Sequence, residues 1–105
     1  MAIGVITRLP EGAGALQYDA VRAKLDIAKN KPDGLILHSA GELEGPPFQL
    51  LRTFQIFNLW ESREQADRFN RERLQPARVE VMGEERAAAI EAGLVEVQIY
   101  NYVIP

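Results

Sequence analysis

The chain has no cysteine among its 105 residues. Disulfides, thiolate metal sites and cysteine nucleophiles are therefore excluded. The lack also fits a reducing compartment, and a cytoplasmic location is expected. There is one histidine, His38, and no spacing of His, Asp or Glu suggests a metal site. Basic residues are in the minority, 12 Lys and Arg against 15 Asp and Glu, for a net charge of −3. A nucleic-acid footprint needs a basic stripe, so no nucleic-acid partner is expected. No apolar run approaches the roughly 20 residues of a membrane span. The segment Met1 to Arg8 lacks the basic start and the apolar length of a signal peptide. Gly12 and Gly14 are not followed by the Lys-Ser/Thr of a phosphate loop. The carboxylates form no convincing pair: Glu42 and Glu44 flank a loop, and Glu84-Glu85 reads as a solvated run. Ser39 stands beside His38, but neighbours on a strand point to opposite faces, so the two do not make a catalytic pair.

What is present is globular. Hydrophobic residues make up 47% and charged residues 26%, which is outside the disordered range. The length predicts one domain over residues 1–105, burying roughly 65% of its unfolded surface.

Ala2 to Arg8 is rich in β-branched residues and predicts a first strand. Pro10, Gly12 and Gly14 predict a loop. From Ala15 to Lys29 the spacing of Leu16, Ala20, Val21, Leu25 and Ala28 predicts a helix, with Tyr18 near the edge of its apolar face. The stretch 30–34 ends that helix. Gly34 to Leu43 predicts a second strand, with Leu35, Leu37 and Ser39 on one side and Ile36, His38 and Ala40 on the other. A Gly45–Pro47 loop leads to a third strand, Phe48 to Trp60, long enough to carry a bulge. Phe54, Ile56, Asn58 and Trp60 share one of its faces.

At Trp60 a period-2 pattern gives way to a 3.6-residue pattern within two residues. Ser62 and Gln65 have the spacing of a capping box, and the helix beyond them should bury Ala66, Phe69, Leu74 and Ala77. Pro76 should break this helix or start another. Val79 to Gly93 reads as irregular apart from a short helix around Glu85–Ala92. Leu94 to Val103 predicts a fourth strand, with Val95, Val97, Ile99 and Asn101 on one face. The order β-α-β-β-α-β predicts an α+β, ferredoxin-like fold: a four-stranded antiparallel sheet with its helices on one face. The other sheet face carries apolar residues and needs a cover, so a homodimer packed sheet against sheet is expected.

Strand order, length and the junction Asn58–Leu59–Trp60–Glu61–Ser62 together resemble the dimeric α+β barrel superfamily. That group includes antibiotic biosynthesis monooxygenases, haem-degrading monooxygenases and stress-responsive barrel proteins. The resemblance implies a pocket between sheet and helices, and two sheets closing into a barrel across a dimer. The haem-degrading branch implies an Asn on strand one and an axial His on the second helix. Here strand one offers only Thr7 and the second helix has no His, so no haem or other cofactor is expected. The cofactor-free, quinone-forming branch implies an Asn and a Trp that hold a phenol, and Asn58 and Trp60 offer those groups.

Five residues are candidates for a site. His38 is a general base near neutral pH or a core histidine with satisfied nitrogens. Asn58 and Asn101 orient a substrate oxygen, or bond to neighbouring backbone. Trp60 is a stacking wall or a core plug. Tyr18 brings a hydroxyl to the pocket or leaves it in solvent. The expected function is binding of a small aromatic or carbonyl compound. Cofactor-independent oxygenation or proton transfer would follow, with His38 and Asn58 catalytic and Trp60, Tyr18 and Asn101 in contact with substrate. The alternative is a non-catalytic, stress-associated or ligand-binding barrel.

Overall fold

The computed structural model describes residues 2–10, 13–42 and 54–100. Strand β1 is Ala2–Arg8, helix α1 Ala15–Leu25, β2 Leu35–Glu42 and β3 Phe54–Trp60. Helix α2, Arg63–Phe69, runs through a π-helical turn at Asn70–Leu74 into α3, Gln75–Met82; α4, Glu84–Ala92, and β4, Val95–Ile99, follow. The sheet order is β2-β3-β1-β4, and every neighbouring pair is antiparallel. This is the ferredoxin-like arrangement expected from the order of elements.

Register fixes the two sheet faces. Trp60 lies opposite Ile3 and Leu35, and Asn58 lies opposite Val5 and His38. These residues face the helices. Val21, Leu25, Leu35, Trp60, Ala66, Phe69 and Ala77 form one core there, and Leu9, Ala13, Phe54, Ile56 and Ile90 form a second. On the opposite face Leu37 is 50% exposed, Val95 48% and Val97 38%, with Phe57 half-buried among them. Ordinary monomers seldom leave such a stripe bare.

The junction after β3 closes as its residues suggest. The Ser62 hydroxyl accepts the Gln65 backbone N–H at 3.3 Å. The reciprocal half of the expected capping box differs: the Gln65 amide oxygen accepts from the Ser62 hydroxyl instead, at 2.9 Å. The Gln65 side chain is committed elsewhere, because it packs against Gly34. A Cβ at Gly34 would stand 2.3 Å from Gln65 Oε1, and Gly34 has φ of +86°. Both conditions call for glycine. The Gly34 carbonyl accepts the Glu61 N–H at 2.8 Å, locking the entry to β2 against the exit from β3.

Four expectations need correction. Helix α1 stops at Leu25, not Lys29, because Asp26 turns left-handed at φ 49° and its N–H returns to the Arg22 carbonyl at 3.0 Å. Its buried stripe is also rotated: Val21 and Leu25 are buried, Leu16 is 78% exposed, and Tyr18 lies on the inner face. In β2 the register jumps between Leu35 and Leu37. Ile36 is an extra residue in the ladder, so His38 shares its face with Leu35 and not with Ile36. Finally, Val79–Gly93 is helical almost throughout. Only Gly83, at φ +90°, interrupts it, ending α3 with its N–H on the Val79 carbonyl and accepting the first turn of α4 from Ala87.

The continuous helical run beyond Phe69 is possible because of the π-helical turn. That turn inserts about one residue relative to an α-helix. Pro76 then falls in the first turn of α3, where its missing N–H costs nothing. The fourth strand covers Val95–Ile99 within the residues described; Asn101, Tyr102 and Val103 lie outside them, as do Leu43 and the Gly45–Pro47 loop with the first part of the expected third strand.

Candidate functional site

A cleft opens between the inner sheet face and the helices. β2 contributes Leu35 and His38, β3 contributes Ile56, Asn58 and Trp60, α1 contributes Tyr18, Val21 and Arg22, and the π-helical turn and α3 contribute Leu74, Arg78 and Met82. Its interior offers about 40 Å³ to the centre of a water-sized sphere. One water needs ~10–15 Å³ on that measure, so the enclosed part takes a few waters or the edge of one ring.

Three polar side chains run in series across the cleft. The Tyr18 hydroxyl bonds His38 Nε2, and His38 Nδ1 bonds Asn58 Oδ1 at 2.5 Å. Burial pushes the Tyr18 phenol above its ordinary value, with Arg22 opposing the shift and Asp19 adding to it. Tyr18 therefore holds its proton at neutral pH and donates to Nε2. An amide oxygen only accepts, so Nδ1 carries the ring proton. With its proton on Nδ1, the ring presents its Nε2 lone pair to Tyr18, and Asn58 fixes that tautomer.

Each member is held from behind. The Tyr18 ring stacks on His38 with centroids 5.8 Å apart and planes at 10°, and meets Phe54 at 5.2 Å. Asn58 is buried on the middle of β3, 9% exposed. The bulge at Ile36 brings His38 opposite Asn58 in the ladder. Trp60 closes one end of the cleft. It is 2% exposed and meets Phe69 at 5.3 Å and 43°. Arg73 lies over the Phe69 ring, with Cζ 5.2 Å from the centroid, while donating to the Leu25 carbonyl at 2.9 Å.

Four of the five candidates, Tyr18, His38, Asn58 and Trp60, therefore meet in one cleft; Asn101 lies outside the described residues. Arg78 was not among the candidates that the sequence pattern singled out. Arg78 is 3% exposed and sits in the wall of the cleft. Burial lowers its guanidinium to about 10, with Glu91 opposing, and it remains charged at neutral pH. On an unbroken α-helix from Ala66, each residue advances about 100°, which would turn position 78 away from the sheet. The extra residue of the π-helical turn rotates it inward. Arg22 also lines the cleft, and among the described residues no Asp or Glu does. Among the described residues no group of three or more His, Cys, Asp or Glu is placed to hold a metal ion. None of their helices is long and apolar enough to cross a membrane.

No family model matches the chain, and no curated protein matches it by sequence. Solved structures do match over nearly the full length. A dimeric ferredoxin-like protein of unknown function from Jannaschia sp. superposes with a TM-score of 0.59 at 13% identity, over 94% of this chain and 100% of that one. SnoaB, a cofactor-independent oxygenase from Streptomyces nogalater, gives 0.52 at 11% identity, covering 97% and 96%. A protein of Chloroflexus aurantiacus provisionally assigned as an antibiotic biosynthesis monooxygenase gives 0.53 at 21%, covering the whole of both chains. At these identities the likeness is one of fold. The chain has the ferredoxin-like α+β fold that these structures share.

Proposed function

We propose that residues 1–105 form one subunit of a homodimeric α+β barrel whose cleft binds a small aromatic or carbonyl compound and removes a proton from it. The observation that carries this reading is the hydrogen-bonded series Tyr18–His38–Asn58 inside the cleft. In the proposed step the acidic O–H or C–H of the substrate gives its proton to the Tyr18 oxygen as Tyr18 passes its own to His38 Nε2. Asn58 Oδ1 holds the resulting imidazolium through Nδ1–H. A positioned base of this kind contributes typically ~10²–10⁴-fold. Trp60 forms the wall against which a flat ring rests.

Proton removal leaves a carbanion or phenolate, and such an anion can be oxygenated without a cofactor. Dioxygen adds at carbon, the peroxide takes back the proton from His38, and loss of water leaves a new carbonyl. That reaction class draws support from the fold shared with a cofactor-independent oxygenase. The second subunit would cover the apolar stripe of Leu37, Val95 and Val97, and light scattering should then return twice the chain mass of 11.8 kDa.

The small interior, about 40 Å³, favours a second reading in which the barrel binds a ligand without turning it over. A thermal-shift panel of monocyclic phenols, hydroquinones and small cyclic ketones addresses binding first. At 100 times its Kd a ligand stabilises the fold by ~2.7 kcal/mol. That corresponds to a rise on the order of 10 °C for a chain of this size. A panel in which every compound leaves the melting temperature unchanged contradicts both readings. A panel with binders, none of which takes up oxygen or exchanges a C–H proton, leaves the non-catalytic one.

A further inference from the structure

Arg78 is buried, and among the described residues its guanidinium bonds no carboxylate. Both of its hydrogen bonds leave from one terminal nitrogen, Nη1, to Asn70 Oδ1 and Gln75 Oε1, each at 3.3 Å. These acceptors are neutral amide oxygens. Glu91 stands one residue further out, bonded at 3.2 Å to the Asn70 amide nitrogen. Nε and Nη2 make no hydrogen bond among the described residues. In the planar guanidinium Nε–H and the neighbouring Nη2 N–H lie on one edge, the pair that grips the two oxygens of a carboxylate side-on. Arg78 lines the cleft, and among the described residues the lining contains Arg22 but no acid. Among the described residues no buried side-chain nitrogen lacks a hydrogen-bond partner, so the free edge of Arg78 keeps contact with the open cleft, where an anion would find a charge-assisted, two-point site.

We infer that the cleft selects a small organic carboxylate, its two oxygens bound by the free edge of Arg78. Resting on the reading of the cleft as a ligand site, this adds the class of molecule that the site takes. The enclosed space limits the rest of the ligand to about one ring. The carboxylate end meets Arg78 on α3, and the acidic hydrogen is presented to Tyr18 and His38 on the opposite wall. Charge selects the ligand at one end of the cleft, and the proton series acts at the other. Arg78 would be a specificity-determining residue.

The test compares benzoate, benzamide and phenol by titration calorimetry or by NMR shift perturbation on the intact protein. Benzoate and benzamide share a ring and differ in charge. Hydrogen bonds to a charged partner are worth ~1.5–3 kcal/mol, so benzoate should bind at least about ten-fold more tightly than benzamide. In Arg78→Gln benzoate should lose that advantage over benzamide. Arg78→Lys, which keeps the charge and loses the planar fork, should fall between. Equal binding of benzoate and benzamide, or an Arg78→Gln protein that still prefers benzoate, overturns the inference. If phenol binds and benzoate does not, the carboxylate assignment falls and the proposed function stands. If none of the three binds, both fall. Should Arg78→Gln fail to fold, the benzoate-to-benzamide ratio on the unaltered protein decides alone.

Discussion

Replacing His38 with glutamine lowers turnover by ~10²–10⁴-fold, the range lost when a positioned acid–base group is removed. The assay is oxygen uptake or C–H deuterium wash-out on the best binder from the phenol and ketone panel. Glutamine is chosen over alanine for a physical reason. Asn58 is buried and its Oδ1 is bonded to His38 Nδ1. Alanine would leave that oxygen and the Tyr18 hydroxyl without a partner, at ~1–3 kcal/mol for each buried group. Glutamine can still donate and accept in the cleft but has no basic nitrogen. The melting temperature of His38→Gln should therefore stay within a few degrees of the unaltered protein while turnover collapses. A variant that keeps its full rate shows that the imidazole is a packing group.

Trp60→Ala produces the largest loss of stability, ~3–5 kcal/mol. The indole is 2% exposed, and it belongs to the core formed with Val21, Leu25, Leu35 and Phe69. Its removal also releases Phe69 from the ring contact at 5.3 Å, and through Phe69 the Arg73 guanidinium that caps α1 at Leu25. Domains are stable by only ~5–15 kcal/mol, so a third or more of the total is at stake. Denaturant unfolding, read as a shift in midpoint at constant slope, measures it. Trp60→Phe keeps part of the packing and should cost less than half as much. A Trp60→Ala protein within ~1 kcal/mol of the original would contradict the packing account, since surface substitutions are usually within ~0.5 kcal/mol. Trp60 is thus both core plug and cleft wall. The two roles are compatible because the same side chain lines the cleft and packs against Phe69.

The junction at Trp60 was legible because two strong signals meet there. Phe54, Ile56, Asn58 and Trp60 alternate in sequence and are buried together in the structure. Ser62 starts a helix because its hydroxyl accepts the Gln65 N–H. Element order followed from patterns of this kind; the meeting of His38 with Asn58 did not, because the alternation contains no bulge. Leu35, Ile36 and Leu37 are all apolar, so nothing in their pattern marks which of them is the extra residue in the ladder. The bulge is a property of how β2 pairs with β3. The end of α1 was hidden for a related reason. Asp26 adopts a left-handed conformation, which aspartate tolerates more readily than most residues but does not advertise. Tyr18 lies on the same inner side of α1 as the buried Val21 and Leu25.

Arg78 is the clearest case of a site residue that periodicity conceals. It is charged, it lies in a stretch of mixed polarity, and straight-helix spacing turns it outward. Only the π-helical turn at Asn70–Leu74 brings it beneath the sheet. A hint was available in Pro76, which cannot sit in the interior of an unbroken helix without loss. A break or a widened turn just before it would have rotated every later position.

Tyr18, His38 and Asn58 form one hydrogen-bonded series in the cleft, and the proposed proton transfer requires its polarity to run from Tyr18 to Asn58. His38 is the only histidine, so the imidazole region of a ¹⁵N spectrum contains a single pair of side-chain nitrogens. At neutral pH, in the unliganded protein, the account predicts a protonated Nδ1 donating to Asn58 and a bare Nε2 accepting from Tyr18, with Nε2 shifting when Tyr18 is replaced by phenylalanine. A proton found on Nε2 with Nδ1 bare, or a Nε2 resonance indifferent to Tyr18→Phe, would contradict it.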